Sequence, residues 1–210
     1  AMPKAAALTD TAYTARIAIE TDYEFFQLFG SQAAASQYIG DLFGYVSTTY
    51  ANEIKTSLQV GDVYLYSNSS DPWAATGTTA ALNEVGSYWQ ANRSGVTRTL
   101  THFISGKNVN GGIAWVGALC SSTYGYGVSM GIDGNFSVTN PQIVWDSVAV
   151  AHEIGHNFGS PHTHEWDTDL GGSPIDCCRQ TASGTCASTY SILPGTGSLT
   201  GGTSGSGAGT

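Results

Sequence analysis

The stretch AHEIGHNFGSPHTH, residues 151–164, contains four of the five histidines of the chain. Helical positions four apart lie on one face, so His152 and His156 are expected to project side by side and bind one zinc ion. Gly159 permits a sharp turn, after which His162 can return as a third nitrogen ligand. The fourth coordination position then stays open, as it does in catalytic zinc sites.

Glu153 directly follows the first of these histidines. Its carboxylate is expected to lie at one side of the metal and to take a proton from a zinc-bound water rather than bind the ion. A His-Glu-x-x-His pair alone also occurs on ordinary exposed helix faces. The full string H-E-x-x-H-x-x-G-x-x-H is far more specific, because it fixes five residues over eleven positions.

The composition indicates a secreted, extracellular protein. Charged residues make up 11% of the 210 residues, below the roughly 25% usual for soluble domains. Hydrophobic residues make up 41%, enough for a substantial core. The net charge of −9 and the scattered basic residues argue against nucleic acid as a partner. The sequence has no run of eighteen apolar residues, so no membrane span is predicted.

Hydrophobic periodicity predicts an α/β (α+β) protein in which helices pack against a sheet. Residues 23–50 are expected to form one long helix or two, with Gly30, Gly40 and Gly44 as weak points. Beyond Pro161 the periodicity disappears. The other predicted helices are 79–92 and 144–158, and the predicted strands are 16–20, 57–66, 99–104 and 126–132.

The segment HEIGHNFGSPH, residues 152–162, matches the metzincin consensus, and Asn157 resembles the adamalysin/reprolysin branch of that family. The upstream order is similar as well: a first strand ending in an acidic residue, a long helix, and GGIAWVG before the zinc helix. The resemblance extends from about Arg16 to the end of the sequence. It implies a metzincin-like catalytic domain with a twisted, mostly parallel five-stranded sheet, an antiparallel edge strand, long helices, and an active-site helix ending at a glycine turn.

The resemblance also implies a secreted zinc-dependent endopeptidase. His152, His156 and His162 would bind one zinc ion. Glu153 would serve as the general base in peptide hydrolysis by a metal-activated water. Alternatives are a catalytically inactive binding or adhesion module on the metzincin fold and a structural zinc domain. Inactive relatives typically lose the glutamate or a histidine, and all four residues are kept here. A structural site usually has four protein ligands.

The expected partner is a protein or peptide substrate bound in extended form along an edge strand. The resemblance places that strand at residues 112–117. It implies these candidate substrate-binding residues: Gly112, Ile113, Ala114 and Trp115.

The resemblance divides the sequence into an N-terminal subdomain, 1–159, which includes the zinc helix, and a partial C-terminal subdomain, 160–210. Relatives carry a methionine-containing Met-turn beneath the metal, whereas both methionines here, Met2 and Met130, precede the zinc motif. We therefore expect that this sequence stops just before its Met-turn. A C-terminal segment carrying that turn and a pro-segment are the further expected partners. Alternatively, Ser191–Leu193 is a degenerate Met-turn.

The four cysteines are expected to form disulfides rather than a zinc site, because adjacent Cys177 and Cys178 are poorly placed to chelate one ion. One of that pair is predicted to bond with Cys186. Cys120 is expected at the end of a strand and needs a partner that this sequence lacks.

Several other polar or aromatic residues are expected to have structural roles. His102 is predicted to be structural, and His164 to be a loop residue or to lie behind the metal ligands. Asp146 and Ser147 are expected to start or flank the zinc helix. Glu20 and Asp22 could suggest calcium, as in some relatives, but no calcium site is predicted. Two tryptophans are expected in the core or in a cleft wall: Trp115 and Trp145.

Overall fold

The computed structural model describes residues 13–141 and 144–162. The sheet belongs to a compact unit that ends at Phe158, and of the unit that follows only 159–162 are described. The division at residue 159 therefore stays a prediction. Some residues interpreted from the sequence lie outside the described part of the chain, so the predictions for them are not tested: His164, Cys177, Cys178, Cys186 and Ser191–Leu193.

The described residues form five strands and four helices. In chain order they are β1 (Tyr13–Thr21), α1 (Tyr23–Phe29), α2 (Gln32–Ile54), β2 (Thr56–Tyr64), α3 (Thr78–Asn92), β3 (Leu100–Ser105), β4 (Gly111–Ala114), β5 (Tyr126–Met130) and α4 (Trp145–Asn157).

The strands form a five-stranded sheet in the order β2-β1-β3-β5-β4. The pairs β1–β2, β1–β3 and β3–β5 are parallel, whereas β4 is antiparallel to β5. The predicted fold class, a mostly parallel sheet with an antiparallel edge strand, is confirmed. The edge strand is shorter than the predicted 112–117, because the chain leaves the sheet after Ala114 and turns at Gly117, where φ is 65°.

The segment predicted as one helix or two forms two. Gly30 ends α1 in the left-handed conformation with φ 69°, and the Ser31 hydroxyl then caps α2 by accepting from the Ala34 amide at 3.2 Å. Gly40 and Gly44 do not interrupt α2, which continues to Ile54. The break therefore occurs where a capping residue follows the glycine.

The sheet separates two hydrophobic clusters. Alternate residues of β1 point to opposite faces, so Ile17 and Ile19 join one cluster while Ala18 joins the other. Helices α1, α2 and α4 contribute to the first cluster and α3 to the second. Within the described ranges, no helix combines the length and apolar character needed to cross a bilayer.

Asp146, in the first turn of α4, fixes the start of that helix. Its fully buried carboxylate accepts hydrogen bonds from the Tyr38 hydroxyl of α2 and from the amides of Asp133 (3.2 Å) and Gly134 (3.0 Å). Ser147 also stabilises the start of the helix, since its hydroxyl accepts from the Val144 amide at 3.4 Å and donates to the Val144 carbonyl at 3.0 Å. The helix that carries the histidine motif is therefore tied to α2 and to the loop after β5.

Candidate metal centre

His152 and His156 project from the same face of α4. Their Nε2 atoms lie 3.0 Å apart, and the two rings are nearly perpendicular, at 86°. His156 is buried, with 7% of its surface exposed. Two nitrogens that bind one zinc ion tetrahedrally at about 2.0–2.1 Å each would be roughly 3.3 Å apart. The helical spacing therefore brings both rings into a geometry close to that of a shared metal.

The third histidine lies with the first two. The chain turns after α4 at Gly159, where φ is 100°, and one ligand atom each from His152, His156 and His162 lie within 4.8 Å of one another. Three imidazole nitrogens are a protein donor set typical of catalytic zinc sites, in which water or substrate takes the fourth position. The residues present therefore fit a zinc ion.

Glu153 is buried on the inner side of α4. It is 5% exposed, and its Oε2 atom has no hydrogen-bond partner among the described residues. Burial raises the pKa of Glu153 to about 8. A buried carboxylate with a displaced pKa beside metal-binding histidines is typical of an acid–base group.

Hydrogen bonds attach the end of α4 to the chain that follows β4. The amides of Gly117 and Ala118 donate to the carbonyls of His156 (2.9 Å) and Asn157 (3.0 Å). The Asn157 side chain is fully buried, and its Nδ2 donates to the Trp115 carbonyl at 3.0 Å. Sequence reasoning used Asn157 only as a family marker. Its bridging role depends on a strand some forty residues away, and no local signal reveals it.

The candidate substrate-binding residues of β4 do not all face the histidines. Gly112, Ile113 and Ala114 lie in β4, with β5 on one side, and no described strand pairs with the other side. Gly112 contacts Glu153, whereas the side chain of Ile113 packs into the α3 cluster on the opposite face. The backbone of the strand can face a ligand, but the Ile113 side chain does not face the histidines.

Both tryptophans named from the sequence are partly exposed, which excludes a place in the core. Trp115 is 41% exposed and packs edge-on against Tyr124, with ring centroids 5.1 Å apart. Trp145 is 39% exposed, and its Nε1 donates to the Met130 carbonyl at 3.0 Å. A place in a cleft wall stays a prediction for both, and they lie near opposite ends of the β4–β5 pair.

His102 is separate from the group formed by His152, His156 and His162. It is fully buried in β3, and its Nε2 lies 2.9 Å from the Ser129 hydroxyl. Burial lowers the pKa of His102 to about 3, so the ring is neutral at ordinary pH. The structure is consistent with the structural role expected for this histidine.

Glu20 and Asp22 bind protein groups. Glu20 Oε2 accepts from Trp89 Nε1 at 2.7 Å, and Asp22 Oδ1 caps α1 by accepting from the Phe25 amide at 2.8 Å.

The position of Cys120 differs from the predicted one, because this residue lies in a turn with φ 61° and not at the end of a strand. It is exposed and forms no disulfide within the described residues.

The chain matches a protein-family model. The family model for metallo-peptidase family M12 matches residues 11–198. No curated protein matches the chain.

Two solved structures are similar to this chain. One is described as a chaperone–substrate complex, with a TM-score of 0.51 and 20% identity over 72% of this chain and 25% of that one. The other is metalloproteinase-II from Bacteroides fragilis, with a TM-score of 0.44 and 13% identity over 75% of this chain and 46% of that one. The chain therefore spans less than half of either protein, and the first likeness supports the fold alone.

Proposed function

We propose that this chain, which belongs to metallo-peptidase family M12, is a secreted endopeptidase that uses one zinc ion. The observation that carries the proposal is the grouping of three histidine nitrogens within 4.8 Å beside a buried glutamate on the same helix. The low content of charged residues, 11%, supports the extracellular location.

His152, His156 and His162 would hold the zinc ion. When bound there, zinc supplies a Lewis acid that polarises a carbonyl oxygen and lowers the pKa of water. The protein supplies the ligand geometry: α4 fixes two of the rings, and the Gly159 turn returns the third. The His156 carbonyl is itself held by the Gly117 amide, which limits movement of the helix end.

Glu153 would carry the proton. We assign its carboxylate to take a proton from the attacking water and to pass it to the leaving amine. Its burial, and an Oε2 atom that no described residue satisfies by hydrogen bonding, support this role. Replacing such a group typically lowers turnover by about 10²–10⁴-fold.

The substrate would be a protein or peptide in extended conformation, added to the sheet beside β4. Hydrogen bonds between main chains give such binding little dependence on sequence, so side-chain contacts must provide selectivity. The exposed pair Trp115–Tyr124, at the end of β4, offers an apolar surface for a substrate side chain.

Metal analysis combined with a protein-cleavage assay tests the proposal. The purified protein is expected to contain one zinc per chain and to cleave an unfolded protein such as casein. A chelator should stop cleavage, and added zinc should restore it. Glu153→Ala should keep the zinc and lose cleavage, whereas His156→Ala should lose both.

His164→Ala is the matched control, because this histidine follows His162 by two positions in the sequence and is not expected to bind metal. It should keep both zinc and cleavage. Full zinc occupancy without cleavage in the unaltered protein would favour the inactive binding module. Undiminished cleavage by Glu153→Ala would remove the assignment of the base.

A further inference from the structure

Glu153 reaches across from α4 to the edge strand and lies directly over Gly112. A methyl group on the Gly112 Cα would be 2.3 Å from Oε1, 2.5 Å from Cγ and 2.6 Å from Cδ of Glu153. Carbon atoms in favourable contact are about 3.5–4.0 Å apart. The glutamate therefore occupies the space that a side chain at position 112 would fill.

Glycine is required at position 112 because Glu153 leaves no space for a side chain there. Gly111 has φ 154°, in the region that favours glycine, but Gly112 is not among the glycines with positive φ. Its backbone conformation is therefore open to any residue. An alanine here would be excluded by the Glu153 side chain and not by backbone strain.

The spacing of the contacting residues along α4 is close to their spacing along β4. Glu153 and Asn157 are four residues apart on α4, which is about 6 Å along a helix. Gly112 and Ala114 are two residues apart on the same face of β4, which is about 6.6 Å along a strand. Asn157 is hydrogen-bonded to the Trp115 carbonyl just beyond Ala114. With that end of the strand fixed to the helix, the residue at position 112 determines how near the glutamate can lie.

We propose that Gly112 is a positioning residue for Glu153: its missing side chain seats the glutamate against the strand beside which the substrate would lie. The inference rests on the proposed function, because it assumes that Glu153 carries the proton. It adds that the substrate-binding strand and the proton carrier touch directly, through one residue with no side chain.

The test is the variant Gly112→Ala in the full chain. We expect zinc content to be unchanged, kcat to fall at least tenfold, and KM to stay within threefold, because the strand keeps its place while the carboxylate moves. Gly86→Ala is the matched control. Its added methyl group, on α3, would meet its nearest neighbour at 3.6 Å, an ordinary contact, so kcat and KM should stay unchanged.

A crystal structure of Gly112→Ala supplies a readout that does not depend on activity. We expect the Glu153 carboxylate to be displaced by more than 1 Å while β4 keeps its place. A glutamate left in place with a displaced strand, or a variant with unchanged kcat, would overturn the inference. If the unaltered protein cleaves nothing, the proposed function fails, and the crystal structure still decides the role of Gly112.

If Gly112→Ala does not fold, the double variant Gly112→Ala/Glu153→Ala decides. Removing the glutamate beyond Cβ removes all three atoms that the added methyl group would meet most closely. We expect the double variant to fold with the thermal midpoint of Glu153→Ala alone. Failure of the double variant to fold would contradict the inference, because the methyl group would then clash with something else.

Discussion

The Asn157 side chain and the Trp115 carbonyl are joined by a hydrogen bond of 3.0 Å, and the same Nδ2 atom donates to the Tyr126 carbonyl at 3.0 Å. One amide group therefore connects the last residue of α4 to the first residue of β5 and to the residue that directly follows β4. Because His156 precedes Asn157, this bridge also fixes the helix end that presents the second histidine.

Replacing Asn157 by alanine is expected to lower the free energy of unfolding by about 1–3 kcal/mol, since the bonds from Nδ2 to two backbone carbonyls are lost. Urea unfolding measures the change. Asn92→Ala is the control. Its Nδ2 also donates to a backbone carbonyl, Tyr88, at 2.9 Å, but in an exposed position, so the change should stay within about 0.5 kcal/mol. Equal losses in the two variants would contradict the bridging role.

Tyr38→Phe tests the anchor at the other end of α4. The Tyr38 hydroxyl donates to the buried Asp146 carboxylate and accepts from the Phe136 amide at 3.2 Å. Its removal leaves buried groups unsatisfied, so we expect a loss of about 1–3 kcal/mol in unfolding free energy. Tyr13→Phe, at a side chain that is 71% exposed, should be close to neutral. A neutral Tyr38→Phe would show that the start of α4 is held by other contacts.

Glu20 predicts a pH dependence of stability. Burial raises the pKa of this carboxyl from 4.5 to about 7, although Arg93 and the bond from Trp89 partly offset the effect. The folded state then binds more protons than the unfolded state between those values. Unfolding free energy should therefore fall as pH rises from about 4.5 to 7, by at most roughly 1.4 kcal/mol per pH unit.

Glu20→Gln should remove this contribution while keeping an oxygen acceptor for Trp89. Its stability relative to the unaltered protein should rise between pH 4.5 and 7 and then level off, as measured by urea unfolding across that range. Asp22 and Asp146 also have pKa values raised by burial, so the difference between the two proteins is the informative quantity. Glu53→Gln, at an exposed position, controls for loss of a charge. Parallel curves for Glu20→Gln and the unaltered protein would refute the assignment.

The helices, most of the strands and the histidine group were predictable from sequence because they depend on local patterns, whereas the parallel sheet with its antiparallel edge strand was implied by the family resemblance. Hydrophobic alternation located four of the five strands, and residues four apart on a helix must share a face, as His152 and His156 do. The sequence indicated three glycines at which the helix could break, but it did not show that the break is at Gly30. The choice also depended on the Ser31 cap that follows.

The contacts around Glu153 could not be predicted in this way. Its proximity to Gly112, and the bond between Asn157 and Trp115, depend on the register between α4 and an edge strand some forty residues earlier. The spacing of side chains within α4 or within β4 does not determine that register. The bounds of β4 were missed for a related reason, because the turn at Gly117 is stabilised by a bond to the His156 carbonyl.

The most direct test of the account is zinc X-ray absorption spectroscopy of the metal-loaded protein, compared with His162→Ala. We predict one zinc per chain with three imidazole nitrogens at about 2.0–2.1 Å, falling to two imidazoles and weaker binding in the variant. Sulfur ligands at about 2.3 Å, or a spectrum unchanged by His162→Ala, would contradict the three-histidine site.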